Sequence, residues 1–181
     1  MSCEISLGRL EPCKDSIGGI SSVYFFNYGV DVTVDTDGTI TDIQDGGGAA
    51  TCYKWELKGA SSLEETINSS RDMGTTFFSQ ALNLTFKKID AETNNEIKLL
   101  AWGRPQIVVA DKNGNARMVG TEQGAEVTGG TIVTGTAMGD LYGYTLNFTG
   151  EEKLPANLLV GATLANPFAG LTTAPTVVVG T

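Results

Sequence analysis

Apolar residues along this chain recur mainly at every second position, the period of a strand with one buried face. Residues 23–34, VYFFNYGVDVTV, are rich in aromatic and β-branched types, and Val30, Val32 and Val34 alternate with Asp31 and Thr33. Asp37-Gly38 offers a tight turn into TITDI, so 30–43 is predicted as a β-hairpin, followed by a flexible loop at 44–49 containing Gly46, Gly47 and Gly48. A strand at 50–58 would place Cys52, Lys54 and Glu56 on one face and Tyr53, Trp55 and Leu57 on the other. Strands at 63–70 and 75–89 follow, and in the second Leu82, Leu84 and Phe86 alternate with Asn83, Thr85 and Lys87.

One segment breaks the period. In DAETNNEIKLLAWG, Asp90 is a competent N-cap, Glu92 lies in the first turn, and Ile97, Leu100 and Ala101 fall at helical spacing. Gly103 and Pro105 stop the run, which predicts one short helix at 91–102. Beyond it, QIVVADKNGNARMVG reads as a hairpin at 106–120 around Asn113-Gly114, and strands are predicted near 123–134 and 140–149. Tyr142, Tyr144, Leu146 and Phe148 alternate in the last of these. Together these elements predict a mainly β fold: a β-sandwich or barrel with one flanking helix and extended loop and terminal arms.

Composition narrows the function classes. A chain of 181 residues supports one core rather than two independent domains. A net charge of -9 disfavours stable nucleic-acid binding. No signal-peptide pattern opens the chain and no run approaches the ~20 apolar residues of a membrane span, so the expectation is a soluble protein made in the cytoplasm. Histidine is absent, which excludes Ser-His-Asp and Cys-His catalysis, and neither a dinucleotide nor a P-loop glycine motif occurs. Nothing singles out a catalytic carboxylate pair among the 21 acids, so no enzyme and no cofactor is expected. Cys3, Cys13 and Cys52, odd in number and widely spaced, read as reduced thiols.

Two features stand apart from the core pattern. The final 28 residues, 154–181, carry no charged side chain. They read either as further core strands or as an arm added to a neighbouring subunit's sheet edge through Leu158, Leu159, Val160, Leu164, Phe168, Val177, Val178 and Val179. This divides the chain into a β domain at 1–153 and a C-terminal stretch at 154–181. The hairpin contributes the second feature, Asp31, Asp35, Asp37, Asp42 and Asp45, with no Lys or Arg between Gly29 and Tyr53. Such acids suit a solvated turn; DTDGTITD has the oxygen-rich look of a calcium loop but lacks the closing Glu and flanking helices of an EF-hand.

The stretch from about Arg71 to Leu158 resembles tail proteins of phages, especially those infecting Bacteroidetes bacteria, of the tail tube or major tail type. The resemblance covers about half the chain and rests on an order of parts. These are the long strand, the helix near LLAWGRP, the Asn-Gly hairpin, and the TGTAMGDLYGYTL strand followed by TGEE. It implies a structural virion protein whose copies form stacked rings, typically hexamers, around a channel through which DNA passes without stable binding. The implied partners are further copies and other tail proteins, such as the tape measure, terminator, baseplate and a sheath. In that setting the hairpin acids are proposed to line the channel and the uncharged stretch to link subunits. Alternatives are a receptor- or carbohydrate-binding module built on Trp55, Trp102 and the tyrosines, and a tail-completion or head decoration protein. Core packing is the expected duty of both tryptophans.

Overall fold

The computed structural model describes residue 5 and residues 7–180. Residues 7–19 are exposed and belong to no strand. The chain then forms β1 (Ile20–Phe26), β2 (Asp31–Val34), β3 (Thr39–Asp45), β4 (Gly48–Ala49) and β5 (Thr51–Glu56). A long hairpin of β6 (Ser62–Ser70) and β7 (Thr75–Lys87) leads to α1 (Ala91–Trp102). Next come β8 (Gln106–Asp111), β9 (Ala116–Val119), β10 (Glu126–Val133) and β11 (Gly143–Glu152), and finally β12 (Leu158–Leu159) and β13 (Thr176–Val179).

These strands make two sheets, so the mainly β sandwich with one short helix is the observed fold. The smaller sheet is antiparallel in the order β10-β11-β7-β6, and the larger runs β13-β5-β1-β8-β9-β12-β3-β2 with β4 on β3. Only Ala50 separates β4 from β5, so one continuous strand pairs with β3 at its start and with β1 along its length. The larger sheet thereby curls back on itself into a barrel-like closure.

Two cores result. Between the sheets, Val23, Phe25, Ile107 and Val109 meet Leu82, Leu84, Phe86, Tyr144, Leu146 and Phe148. Inside the closure, the opposite faces of β1 and β8 bury Tyr24, Phe26, Val108 and Ala110 against Ile40, Ile43, Met118, Leu159 and Phe168. Trp55 belongs to the first core, edge-on to Phe86 at 4.8 Å and to Phe25 at 5.5 Å.

The β-rich stretch 23–34 is divided at a corner, which separates β1 from the β2–β3 hairpin predicted at 30–43. Gly29 takes φ +107, a region open to glycine, and the buried Gln106 amide accepts from the Gly29 and Val30 N–H groups at 3.0 and 3.1 Å. Its Nε2 donates to the Thr121 carbonyl at 2.7 Å, so one side chain satisfies both the corner and the loop after β9. The helix has its expected bounds, with Asp90 accepting from the Thr93 N–H at 2.7 Å. Its buried stripe is narrower than the spacing suggested: Ile97 is buried, Leu100 half-buried and Ala101 exposed.

The uncharged C-terminal stretch folds onto its own chain. The Val160 and Thr172 N–H groups donate to the Ile40 and Thr41 carbonyls of β3, and β13 runs parallel to β5 from Thr176 against Thr51 to Val179 against Lys54. Phe168 stands edge-on to Tyr24 at 5.0 Å inside the closure. The inter-subunit role expected for Leu159 and Phe168 gives way to core packing, because the inner faces of β1, β3 and β8 need an apolar filling that no other segment supplies. Val160 is half-buried in the same core, whereas Leu158, Leu164 and Val177 to Val179 remain exposed. Phe168→Ala is expected to cost about 3–5 kcal/mol in the monomer's urea unfolding. An unchanged midpoint would mean that the stretch is not part of the chain's own core.

Candidate assembly surfaces

The smaller sheet presents its second face to solvent. Cross-strand register places Asn83 beside Asn147, Thr85 beside Thr145, and Ala81 beside Thr149 and Glu64 on that face. Ser62, Thr66 and Thr131 continue it. Hydroxyl pairs bridge its strands, Thr131 with Thr145 at 2.6 Å and Thr128 with Thr149 at 3.1 Å. Its charges are Glu64, Glu126 and Glu151, with Lys87 the sole base on these strands. Sequence reasoning did not select this face. Its signal was the polar half of the alternation over 75–89, which was used there only to establish a strand.

Both borders of this sheet are open. Among the described residues neither β6, nine residues long, nor β10, eight residues long, pairs on its outer side. Edges of this length are the part of a sheet most prone to add another strand. A bulge at Thr128 marks β10. The hairpin tip beyond the core exposes Ile67 and Met73, and the loop before β11 exposes Met138.

The acids of the β2–β3 hairpin do not act as one group. Asp31, Asp35, Asp37 and Asp45 are exposed on the larger sheet, remote in topology from the hydroxyl face. Asp35 Oδ1 accepts from the Asp37 and Thr39 N–H groups at 3.0 and 2.8 Å and so holds the turn. Among the described residues, no cluster of His, Cys, Asp and Glu side chains suits a metal ion. Asp42 is buried and cannot face a channel: it accepts from the Thr173 N–H at 3.0 Å, the Thr173 hydroxyl at 3.3 Å and the Gln44 amide at 2.6 Å. Its duty is to fasten the C-terminal stretch to β3.

Trp102 corrects the expectation of core packing. It is 78% exposed, because it lies five residues past Ile97 and so points well away from the buried stripe, with Lys98 Nζ 5.3 Å from its ring. A cleft of about 450 Å³, to which Trp102 does not contribute, opens between α1 and the ends of β1 and β5, lined by Tyr28, Tyr53, Trp55, Leu99 and Pro105, with Glu96 and Arg104 on its walls. Arg104 stacks on Tyr28 at 4.0 Å.

No family model, curated protein or solved structure matches the chain. The functional reading therefore rests on these surfaces and their chemistry.

Of the cysteines, Cys13 is exposed and Cys52 is buried, its thiol pushed up to about 12 by desolvation and so unreactive. The reading of Cys3 lies outside the described residues. At one end of the sandwich, buried Gln80 accepts from the Gly120 N–H at 3.0 Å and donates to Glu65, which in turn accepts from the Ala156 N–H. Nearby, buried Glu152 accepts from the Glu122 and Gln123 N–H groups at 3.0 and 2.8 Å. Burial raises the Glu152 carboxyl above the usual carboxylate range, against the lowering effect of those two bonds. A carboxyl that holds its proton more tightly when folded favours folding at low pH, and this contribution is lost as pH rises from its unfolded value through the raised folded one. Glu152→Gln should keep one acceptor, hold stability at neutral pH and flatten the pH profile across that window. Glu152→Ala should cost about 1–2 kcal/mol by urea unfolding, with both amides left to solvent.

Proposed function

We propose that the chain is a tail tube subunit of a phage virion, its copies joining edge to edge so that the smaller sheets form one continuous wall around a DNA channel. The observation that carries this reading is the smaller sheet itself, with two long open edges and a hydroxyl-rich outer face. Its four strands alternate in direction, so β6 and β10 run opposite ways. Copies related by rotation about an axis would then meet in a further antiparallel pair, β6 of one against β10 of the next. Such a contact is heterologous and closes into a ring when the rotation allows, and rings can stack.

The chemistry of the face suits passage without capture. A duplex held by Lys or Arg releases counterions and gains affinity, and each such contact is a barrier to sliding. Threonine, serine and asparagine offer neutral contacts, and Glu64, Glu126 and Glu151 repel phosphate. We assign the channel wall to this face rather than to the β2–β3 hairpin, whose exposed acids belong to the other sheet. A receptor- or carbohydrate-binding module is the second reading, favoured by the exposed ring of Trp102 and by the aromatic lining of the cleft. Membership in a completion ring or head decoration would share the edges but not the growth in length.

Electron microscopy of the purified protein is expected to show rings or tubes of constant bore. Monodisperse monomers at high concentration would sink the reading, and glycan binding by those monomers would install the second one. Lysine at Asn83, Asn147 and Thr149 should leave tubes intact yet impair DNA delivery by assembled particles. Lysine at Asp31, Asp35 and Asp37 should not, and the reverse result would move the channel wall to the hairpin.

A further inference from the structure

The exposed N-terminal segment and the cleft beside α1 are each incomplete alone. In residues 7–16, Leu7 and Leu10 are 86% and 92% exposed, and the segment pairs with no strand. Its root is fixed: the Asn113 side chain accepts from the Ile17 N–H at 2.9 Å and donates to the Ile17 carbonyl at 2.7 Å, imitating a strand partner. Residues 17–20 border a second cleft together with Ser61 to Leu63, which places that root against the β6 edge of the smaller sheet. The aromatic cleft lies at the other border, where α1 packs beside β10.

We infer that the segment around Leu10 docks into the α1 cleft of a second copy, with Leu10 between the aromatic walls, Arg9 against Glu96 and Glu11 against Arg104. This rests on the edge-to-edge reading above, because pairing β6 of one copy with β10 of the next brings one copy's root beside the next copy's cleft. Charge fixes the polarity of the contact. Glu96, Arg9 and Glu11 form no ion pair within their own chain among the described residues, and Arg104 is held only by its stacking on Tyr28. Docking within one chain is disfavoured by reach. The seven Cα-to-Cα steps from Leu10 to Ile17 span at most about 24 Å, and Ile17 is tied to the turn beyond the far end of β8 from Pro105, about 20 Å away along the strand direction, so the segment would have to run taut. A cleft of about 450 Å³ is within the size of sites that enclose an apolar side chain with flanking polar contacts.

A charge exchange tests the contact, since all the residues changed are exposed and fold is not at risk. Arg9→Glu and Glu96→Arg should each weaken self-association at least about tenfold in sedimentation or light scattering, and the double variant should restore most of it. Removing residues 1–16 should weaken association to a similar degree and leave the monomer's unfolding midpoint unchanged. Failure of the double variant to recover, or full association by the shortened chain, would overturn the docking while edge-to-edge assembly stands. A full chain that stays monomeric at high concentration would overturn both. Mixing Leu10→Asp protein with Leu99→Asp protein should recover association that each lacks alone, whereas docking within one chain predicts no gain on mixing.

Discussion

Burial of β1 and β8 on both faces is the constraint from which the remaining architecture follows. Val23 and Phe25 point into one core while Tyr24 and Phe26 point into the other, and β8 divides in the same way between Ile107 and Val109 and between Val108 and Ala110. A strand apolar on both sides must be covered twice. The smaller sheet and α1 cover one side. The other side leaves no room for a third layer in a chain of this length, so the larger sheet curls until β3 and β4 face β1 and β8, and the C-terminal stretch fills what remains. At Leu159 and Phe168 the absence of charge follows from the closure itself, because a charged side chain there would be buried without a partner.

Much of this fold was legible in the sequence. Alternation gave nearly every strand, and the Asp90 cap with Gly103 bounded the helix as found. What alternation could not give was double burial. VYFF and IVVA are continuous apolar runs, the mark of strands covered on both faces, yet each also carries neighbours that fit a half-buried pattern. The corner at Gly29 was hidden for a related reason: it depends on Gln106, distant in sequence, whose amide takes the place of a ladder partner for two successive N–H groups. The C-terminal stretch had two readings because composition states that a segment must be buried but not by whom.

The candidate surfaces were less legible, and the five hairpin acids show why. Charge density in sequence placed Asp42 with its neighbours; register sets it opposite Thr33, on the same face of the hairpin as Asp31, and there Thr173 covers it while the other four acids stay exposed. A density of like charge thus concealed two unrelated duties, a buried anchor and a solvated turn. The hydroxyl face was invisible for the opposite reason. Its members come from β6, β7, β10 and β11, none of which is remarkable for charge, and they form a surface only through cross-strand register.

Edge exposure links these points to function. The larger sheet limits its own borders: closure pairs β3 with the start of the β4–β5 strand, and its outermost strands, β2 and β13, have four residues each. The smaller sheet does neither, since β6 and β10 are long and lie uncovered. Native sheets blunt such edges with short length, proline, bulges and charged side chains, lysine above all. Here β6 and β10 are long and contain neither proline nor lysine, and their guards are the charges of Glu64, Glu65 and Glu126 and the bulge at Thr128. The contrast between one sheet with restricted borders and one with two open borders is what favours assembly through the smaller sheet. Were such an assembly to line its bore with the smaller sheet, the face on offer would be the hydroxyl face, because the opposite face is already committed to the core between the sheets.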